Sequence, residues 1–287
     1  MTDLTQFLTR AEQLLERLER FLPPAPCAPD WSASTAFRWR RKGNAGALLP
    51  IPRPHQIRLD NLQDIDDKKE RIVANTRQFL VGKRANNVLL TGARGTGKSS
   101  LVKALLTEYA DQGLRLIEVD KDDLVDLADI VELVEGRPER FIIFTDDLSF
   151  EDGEPAYKAL KSVLDGSVAA VSDNVLIYAT SNRRHLMPEY FDENAATKHK
   201  DGEIHPAEVV EEKISLSERF GLWISFYPFS QDEYLKVVNH WLGEFGVPAD
   251  TLSASRGEAL QWALMRGSRS GRVAWQFARD YAGRFEA

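Results

Sequence analysis

The chain has 287 residues, of which 43% are hydrophobic and 28% charged, with a net charge of −7; this is the composition of a globular protein with room for about two domains of ~150 residues. No apolar run approaches the ~20 residues of a membrane helix, the start lacks a secretory signal pattern, and a single cysteine, Cys27, excludes an internal disulfide and a cysteine-cluster zinc site. A cytoplasmic protein with no membrane partner is expected, and its acidic balance argues against a broad nucleic-acid surface while leaving room for a local patch.

Leu4, Leu8, Ala11, Leu15, Leu18 and Leu22 form one stripe, widened by Phe7, Leu14 and Phe21. Their spacing predicts an amphipathic helix, with Asp3 and Gln6 placed as a capping box. It packs either on the protein's own body or on a partner. "PPAPCAP" then stops it and makes a stiff linker. "FRWRRKG" (37–43) interleaves Arg38, Arg40, Arg41 and Lys42 with Phe37 and Trp39. Such a run is either a solvated, domain-docking segment or a grip for nucleic acid.

From about residue 60, helical patterns alternate with short apolar runs. Helices are expected at "DDKKERIVANTRQFL", "KSSLVKALLTEYADQG", "DDLVDLADIVELVEG" and "PAYKALKSVL". Strands are expected at "NNVLLTG", "LRLIEVD", "RFIIFTDD", "NVLIYATSN" and "GLWISFYPF". The strands are continuous apolar runs, as in parallel sheets covered on both faces by helices. Trp223, Phe226, Tyr227 and Phe229 are read as core. After Phe229 only helical patterns remain, over 231–245, 250–266 and 270–285. The expected organisation is a helix and Pro/Arg-rich linker (1–56), an α/β core (57–229) and a helical C-terminal domain (230–287).

"TGARGTGKSSL" carries the chemistry. Gly92, four intervening residues, then Gly97-Lys98-Ser99 match the P-loop pattern, with a strand before and a helix after. The glycines let Gly92, Ala93, Arg94, Gly95, Thr96 and Gly97 turn so that backbone N–H groups converge on a phosphate. The helix beginning at Lys98-Ser99-Ser100 adds about half a unit of positive charge there. Lys98 reaches the outer phosphates, and the Ser99 hydroxyl offers a magnesium ligand. "FIIFTDD" supplies a strand ending in two acids, with Asp146 suited to the magnesium side and Asp147 to polarising water. Asn182 ends the next strand, where an amide can orient the attacking water.

These segments together resemble the AAA+ ATPases: "GARGTGKS" as Walker A, "IIFTDD" as Walker B and "VLIYATSN" as the sensor-1 strand. "LSERFG" is similar to the segment bearing an arginine finger, which makes Arg219 the finger. "SGRVAWQF" is similar to the sensor-2 helix, with Arg272 the best match and Arg269 next. The strings "NNVLLTGARGTGKSSLVKALL", "FIIFTDDLSFE", "YATSNRRHL" and "SLSERFGL" resemble, more narrowly, the bacterial AAA+-like ATP-binding family catalogued as domain of unknown function 815. The resemblance implies a three-layer α/β sandwich with a parallel sheet of order 5-1-4-3-2, a helical lid, and ATP and Mg2+ as ligands. A finger acts on a neighbour's nucleotide, so it also implies a homo-oligomer through Arg219. The client is left unnamed.

Most Walker B strands of that superfamily end Asp-Glu, whereas this one ends Asp-Asp. Either Asp147 polarises water from a tighter pocket, or Glu151 does so instead, or hydrolysis is slow. Arg219 is either the finger or a surface residue paired with an acid. Arg183, Arg184 and His185 serve a subunit seam or phosphates, or pair with acids. His199 and His205 lack a third ligand for a metal. The expected activity is hydrolysis of ATP to ADP and phosphate coupled to lid movement on a protein client. A nucleotide-gated adaptor or loader is the alternative. A small-molecule kinase is a remote one, because no substrate lid interrupts the strands.

Overall fold

The computed structural model describes residues 29–42, 45–151, 154–166, 172–183, 186 and 216–285. The amphipathic stripe, Cys27, Arg184, His185, His199 and His205 lie outside the described residues. Among those described, seven strands form one sheet: β1 (Ala36–Lys42), β2 (Ala45–Pro50), β3 (Val88–Gly92), β4 (Leu114–Glu118), β5 (Arg140–Thr145), β6 (Val175–Ser181) and β7 (Leu222–Phe226). Their order is β2-β1-β4-β5-β6-β3-β7. All neighbours are parallel except the β1–β2 hairpin.

Numbered from the P-loop strand, the last five strands run 5-1-4-3-2 as expected. The sheet departs from that expectation by two further strands beyond β4. Residues 36–42 and 45–50, read from sequence as linker ahead of the core, are those strands. The basic and aromatic run is β1 itself. Its alternation places Phe37 and Trp39 inside, at 0% and 3% exposure. Its arginines face carboxylates: Arg38–Glu118 at 2.5 Å, Arg40–Asp120 at 3.4 Å and Arg41–Asp126 at 3.7 Å. The Trp39 indole N–H donates to Asp126 at 3.0 Å. Much of the positive charge that suggested nucleic acid is thus matched within the fold.

Each central strand is apolar on both faces because each face is roofed by helices. On one face Leu90, Ile142, Phe144 and Tyr178 pack with α1 (Asp66–Leu80) and α2 (Lys98–Tyr109) through Ile72, Phe79, Leu101 and Leu105. On the other, Leu89, Phe141, Ile143 and Ile177 meet α3 (Leu127–Val134) and α4 (Pro155–Leu164) through Leu127, Ile130, Ala156 and Tyr157. Proline at the first position of α4 costs nothing, since that N–H has no partner in the helix.

The C-terminal region is helical: α5 (Gln231–Glu244), α6 (Leu252–Met265) and α7 (Gly271–Phe285). Ser230 starts α5 with a capping box: its hydroxyl accepts from Glu233 N–H, and the Glu233 carboxylate accepts from Ser230 N–H at 2.6 Å. Phe226 and Phe229 are buried in the core that joins lid to sheet, and Trp223 is half-buried. Tyr227, expected in the core, is instead 74% exposed. It follows the end of β7, where strand alternation no longer directs its side chain inward. No helix among the described residues is long and apolar enough to cross a membrane.

Candidate functional site

The loop between β3 and α2 is shaped by glycine. Gly92 has φ 120° and Gly95 φ 72°, values at which an L side chain is strained. At Gly92 a Cβ would also sit 1.9 Å from the backbone oxygen of Phe226 on neighbouring β7. Gly92→Ala is therefore expected to destabilise the fold by at least ~2 kcal/mol, from backbone strain plus forced separation of β3 and β7. A differential scan should show the melting temperature falling by about 4–8 °C for a chain of this size. An unchanged melting temperature would count against the tight β3–β7 approach.

Lys98, the first residue of α2, folds back into the loop. Its ammonium donates to the carbonyls of Gly92 and Ala93, both at 2.7 Å, and to Asn182 Oδ1 at 3.0 Å. Only 5% of the residue is exposed. Burial lowers its pKa to about 8; the Asp146 and Asp147 carboxylates oppose that, and the Arg94 and Arg272 guanidinium groups add to it. A buried cation at the first turn of a helix, where backbone N–H groups have no intrahelical acceptor, favours a nearby anion.

The two acids at the end of β5 are held differently. Asp146 Oδ1 accepts from the hydroxyls of Ser99 and Thr180, both at 2.5 Å. Ser99 and Asp146 thus offer two adjacent oxygen donors, which suits a hard cation that takes one or two protein oxygens and completes its shell with phosphate and water. Asp147 sits in left-handed backbone, φ 54°, a conformation tolerated by aspartate better than by most residues. That turn swings its carboxylate to the Asn182 amide, which donates to Asp147 Oδ1. Its backbone N–H donates to Thr180 Oγ1 at 2.9 Å. Thr180 was missed in the sequence reading. It lies on β6 two residues before Asn182, which directly follows that strand, so strand periodicity was the available signal.

These groups open into a cavity of about 1140 Å³. Its polar lining includes Lys98, Ser99, Asp146, Asp147, Thr180 and Asn182, and its apolar lining Ile57, Leu62, Val237 and Trp241. The segment 55–65 forms one wall, and α5 and α7 supply the roof. Neither this wall nor the roof tryptophans, Trp241 and Trp275, carried a motif that sequence reading could catch. The roof touches the loop directly: Arg272 N–H donates to Gly95 O at 3.3 Å, and a Cβ on Gly95 would meet the Ser270 hydroxyl at 2.8 Å. Asp64, in the wall segment, pairs with Lys236 of α5 at 3.0 Å.

Of the sequence candidates, the cavity gathers Arg94 through Ser100, Asp146, Asp147, Asn182 and Arg272. Gly92 and Ala93 stand behind it as acceptors for Lys98. Three further candidates do not line it. Glu151 is exposed and pairs with Arg183 at 3.4 Å. Arg269 precedes α7 and is exposed. Arg219 pairs with Asp165 at the end of α4.

A family model described as "Protein of unknown function (DUF815)" matches residues 32–285. No curated protein sequence matches the chain. Among solved structures, a point variant of RuvB from Thermotoga maritima superposes with TM-score 0.51 at 15% identity, covering 80% of this chain and 66% of that one. ORC1 of Aeropyrum pernix, solved in complex with DNA, superposes with TM-score 0.53 at 15% identity, covering 78% and 61%. A chain of the E. coli MS115-1 HORMA:CdnC:Trip13 complex gives TM-score 0.50 at 12% identity, covering 77% and 90%. The chain thus spans about two thirds of RuvB and 61% of ORC1. At these identities the likeness is one of fold.

Proposed function

Since the chain belongs to the family described as Protein of unknown function (DUF815) and has the AAA+ P-loop fold, we propose that it binds ATP with magnesium and hydrolyses it slowly to ADP and phosphate, coupling that cycle to movement of the lid on an unidentified protein client. The observation that carries this reading is the convergence of the Lys98 ammonium, the Ser99–Asp146 oxygen pair and the Asp147 carboxylate in one cavity roofed by the lid.

Ser99 and Asp146 would hold the magnesium, which supplies electrostatic stabilisation of the outer phosphates. The loop N–H groups and Lys98 orient those phosphates, and the apolar side chains of the cavity lining take the base. Asn182, which already contacts both Lys98 and Asp147, positions the attacking water. Asp147 takes a proton from that water as its oxygen bonds to the terminal phosphorus. The bridging phosphorus–oxygen bond breaks and ADP leaves. Arg272 lies on the lid and shares the cavity, so occupancy of the outer phosphate site acts on the roof through it.

Lys98→Ala tests the site. Wild type should bind a fluorescent ATP analogue in magnesium, and the variant should lose about 10–100-fold in affinity, since a charge-assisted contact of this kind contributes about 1.5–3 kcal/mol. Equal affinities would remove the nucleotide assignment. A second reading, a nucleotide-gated adaptor with little turnover, is favoured by the Asn182 amide that occupies Asp147 and by the Asp165 carboxylate that occupies Arg219. Steady-state phosphate release separates the two.

A further inference from the structure

Resting on the nucleotide reading above, we propose that Arg94 is a second arginine for the terminal phosphate, supplied by the P-loop of the same chain, and that it sets the preference for triphosphate over diphosphate.

Backbone N–H groups are what a phosphate loop ordinarily presents, so a long cation at its tip calls for a partner. Arg94 follows Ala93, whose carbonyl holds the Lys98 ammonium at 2.7 Å. It precedes Gly95, whose carbonyl accepts from Arg272 N–H at 3.3 Å. The backbone of Arg94 thus lies between an acceptor for the lysine and an acceptor for the lid, in a loop that lines the same cavity as Asp146, Asp147 and Asn182. Ser100 and Lys103 lie further along α2 and line the cavity beyond the loop.

Arg94 is exposed, lines the cavity, and forms no hydrogen bond or ion pair with any described residue; the guanidinium of Arg272 is in the same position. Arg94, Arg272 and Lys98 therefore share one cavity, with both guanidinium groups close enough to act on the Lys98 ammonium. The two nearby carboxylates are engaged by neutral donors: the Ser99 and Thr180 hydroxyls on Asp146, and the Asn182 amide on Asp147. The Asp146 and Asp147 carboxylates offset the Lys98 charge, but neither pairs with the Arg94 or Arg272 guanidinium, so a polyanion in the cavity gains the attraction of both. A diphosphate already satisfies Lys98 and the loop amides. The additional charge and oxygens of a terminal phosphate are what Arg94 can grip, and a guanidinium does so bidentately. Arg219 differs in kind, being paired with Asp165 away from the cavity.

The test is titration of the full chain with fluorescent ATP and ADP analogues in magnesium, for wild type, Arg94→Ala, Arg94→Lys and Lys98→Ala. Wild type should prefer ATP. Arg94→Ala should weaken ATP binding about 10–100-fold and ADP binding less than about 3-fold, which collapses the preference. Arg94→Lys should keep part of it, because charge remains while the fork is lost. Equal losses for both nucleotides, no loss for either, or a wild type without preference would overturn the role of Arg94. If wild type binds neither nucleotide, or Lys98→Ala binds as well as wild type, the nucleotide site itself falls. If only Lys98→Ala loses binding, the site stands and Arg94 is an exposed bystander.

Discussion

Asp147→Asn is expected to lower steady-state phosphate release by about 10²–10⁴-fold while ATP binding is kept, the usual scale for removing a positioned general base. The variant leaves Lys98, Ser99 and Asp146 in place and preserves the shape of the side chain. It removes the acceptor that can take a proton from water. An amide at 147 can still face Asn182, so the left-handed turn at φ 54° keeps its local partner and the fold should melt near the wild-type temperature. Glu151→Gln is the matched control. Glu151 pairs with Arg183 outside the cavity, so its loss should leave turnover within about 2-fold, as expected for an exposed pair of little energetic weight. The opposite pattern, turnover kept without Asp147 and lost without Glu151, would move the base to Glu151 and require the 148–151 turn to rearrange on binding nucleotide.

Arg219→Ala carries the other large effect. The side chain lies away from its own chain's cavity, on Asp165 of α4. If it acts in catalysis, it therefore acts on a neighbouring protomer. An arginine supplied to a terminal phosphate in this way is worth about 10³–10⁵ in rate, or about 4–7 kcal/mol of transition-state stabilisation. Phosphate release per wild-type subunit should then rise with protein concentration, and Arg219→Ala should abolish that rise with little change in ATP affinity. Mixed with wild type, the variant should depress activity by more than its mole fraction, because each variant subunit leaves a neighbour's site incomplete. Activity that is flat with concentration and falls in simple proportion to the variant fraction would show a site complete within one chain. Arg219 would then be a structural partner of Asp165, worth no more than ~1 kcal/mol as a partly exposed pair.

Local pattern was enough for most elements from Asp66 onward, although of the helix expected over "DDLVDLADIVELVEG" only Leu127–Val134 is α-helix and Lys121–Asp126 is a 3-10 helix. The stretch "DDKKERIVANTRQFL" is α1 from end to end, and "PAYKALKSVL" is α4. Both combine helical spacing of apolar residues with a recognisable start, acidic in one and proline in the other. The P-loop was equally legible, because its glycines, lysine and serine act through contiguous backbone and need only a strand before and a helix after. The order of the last five strands also followed once the family resemblance had been drawn.

The antiparallel strand pair 36–42 and 45–50 was not legible. Four basic residues in seven hide the strand alternation of Phe37 and Trp39. The acids that neutralise three of them, Glu118, Asp120 and Asp126, arrive only when β1 lies beside β4. Thr180 escaped notice for a related reason: its hydroxyl matters only because β5 and β6 pair in a register that sets it against Asp146 and the Asp147 N–H. The choices between paired candidates were likewise tertiary. Arg272 enters the cavity and Arg269 does not, because Ser270 and Gly271 seat the start of α7 on Gly95. Asp147 reaches Asn182 while Glu151 turns out to Arg183. By itself the sequence determined that a phosphate loop exists and which helices and strands flank it, since those depend on neighbours a few residues apart. Which distant side chains share the cavity was decided by strand register and by the packing of the lid on the loop, and those depend on surfaces that meet only when the chain is folded.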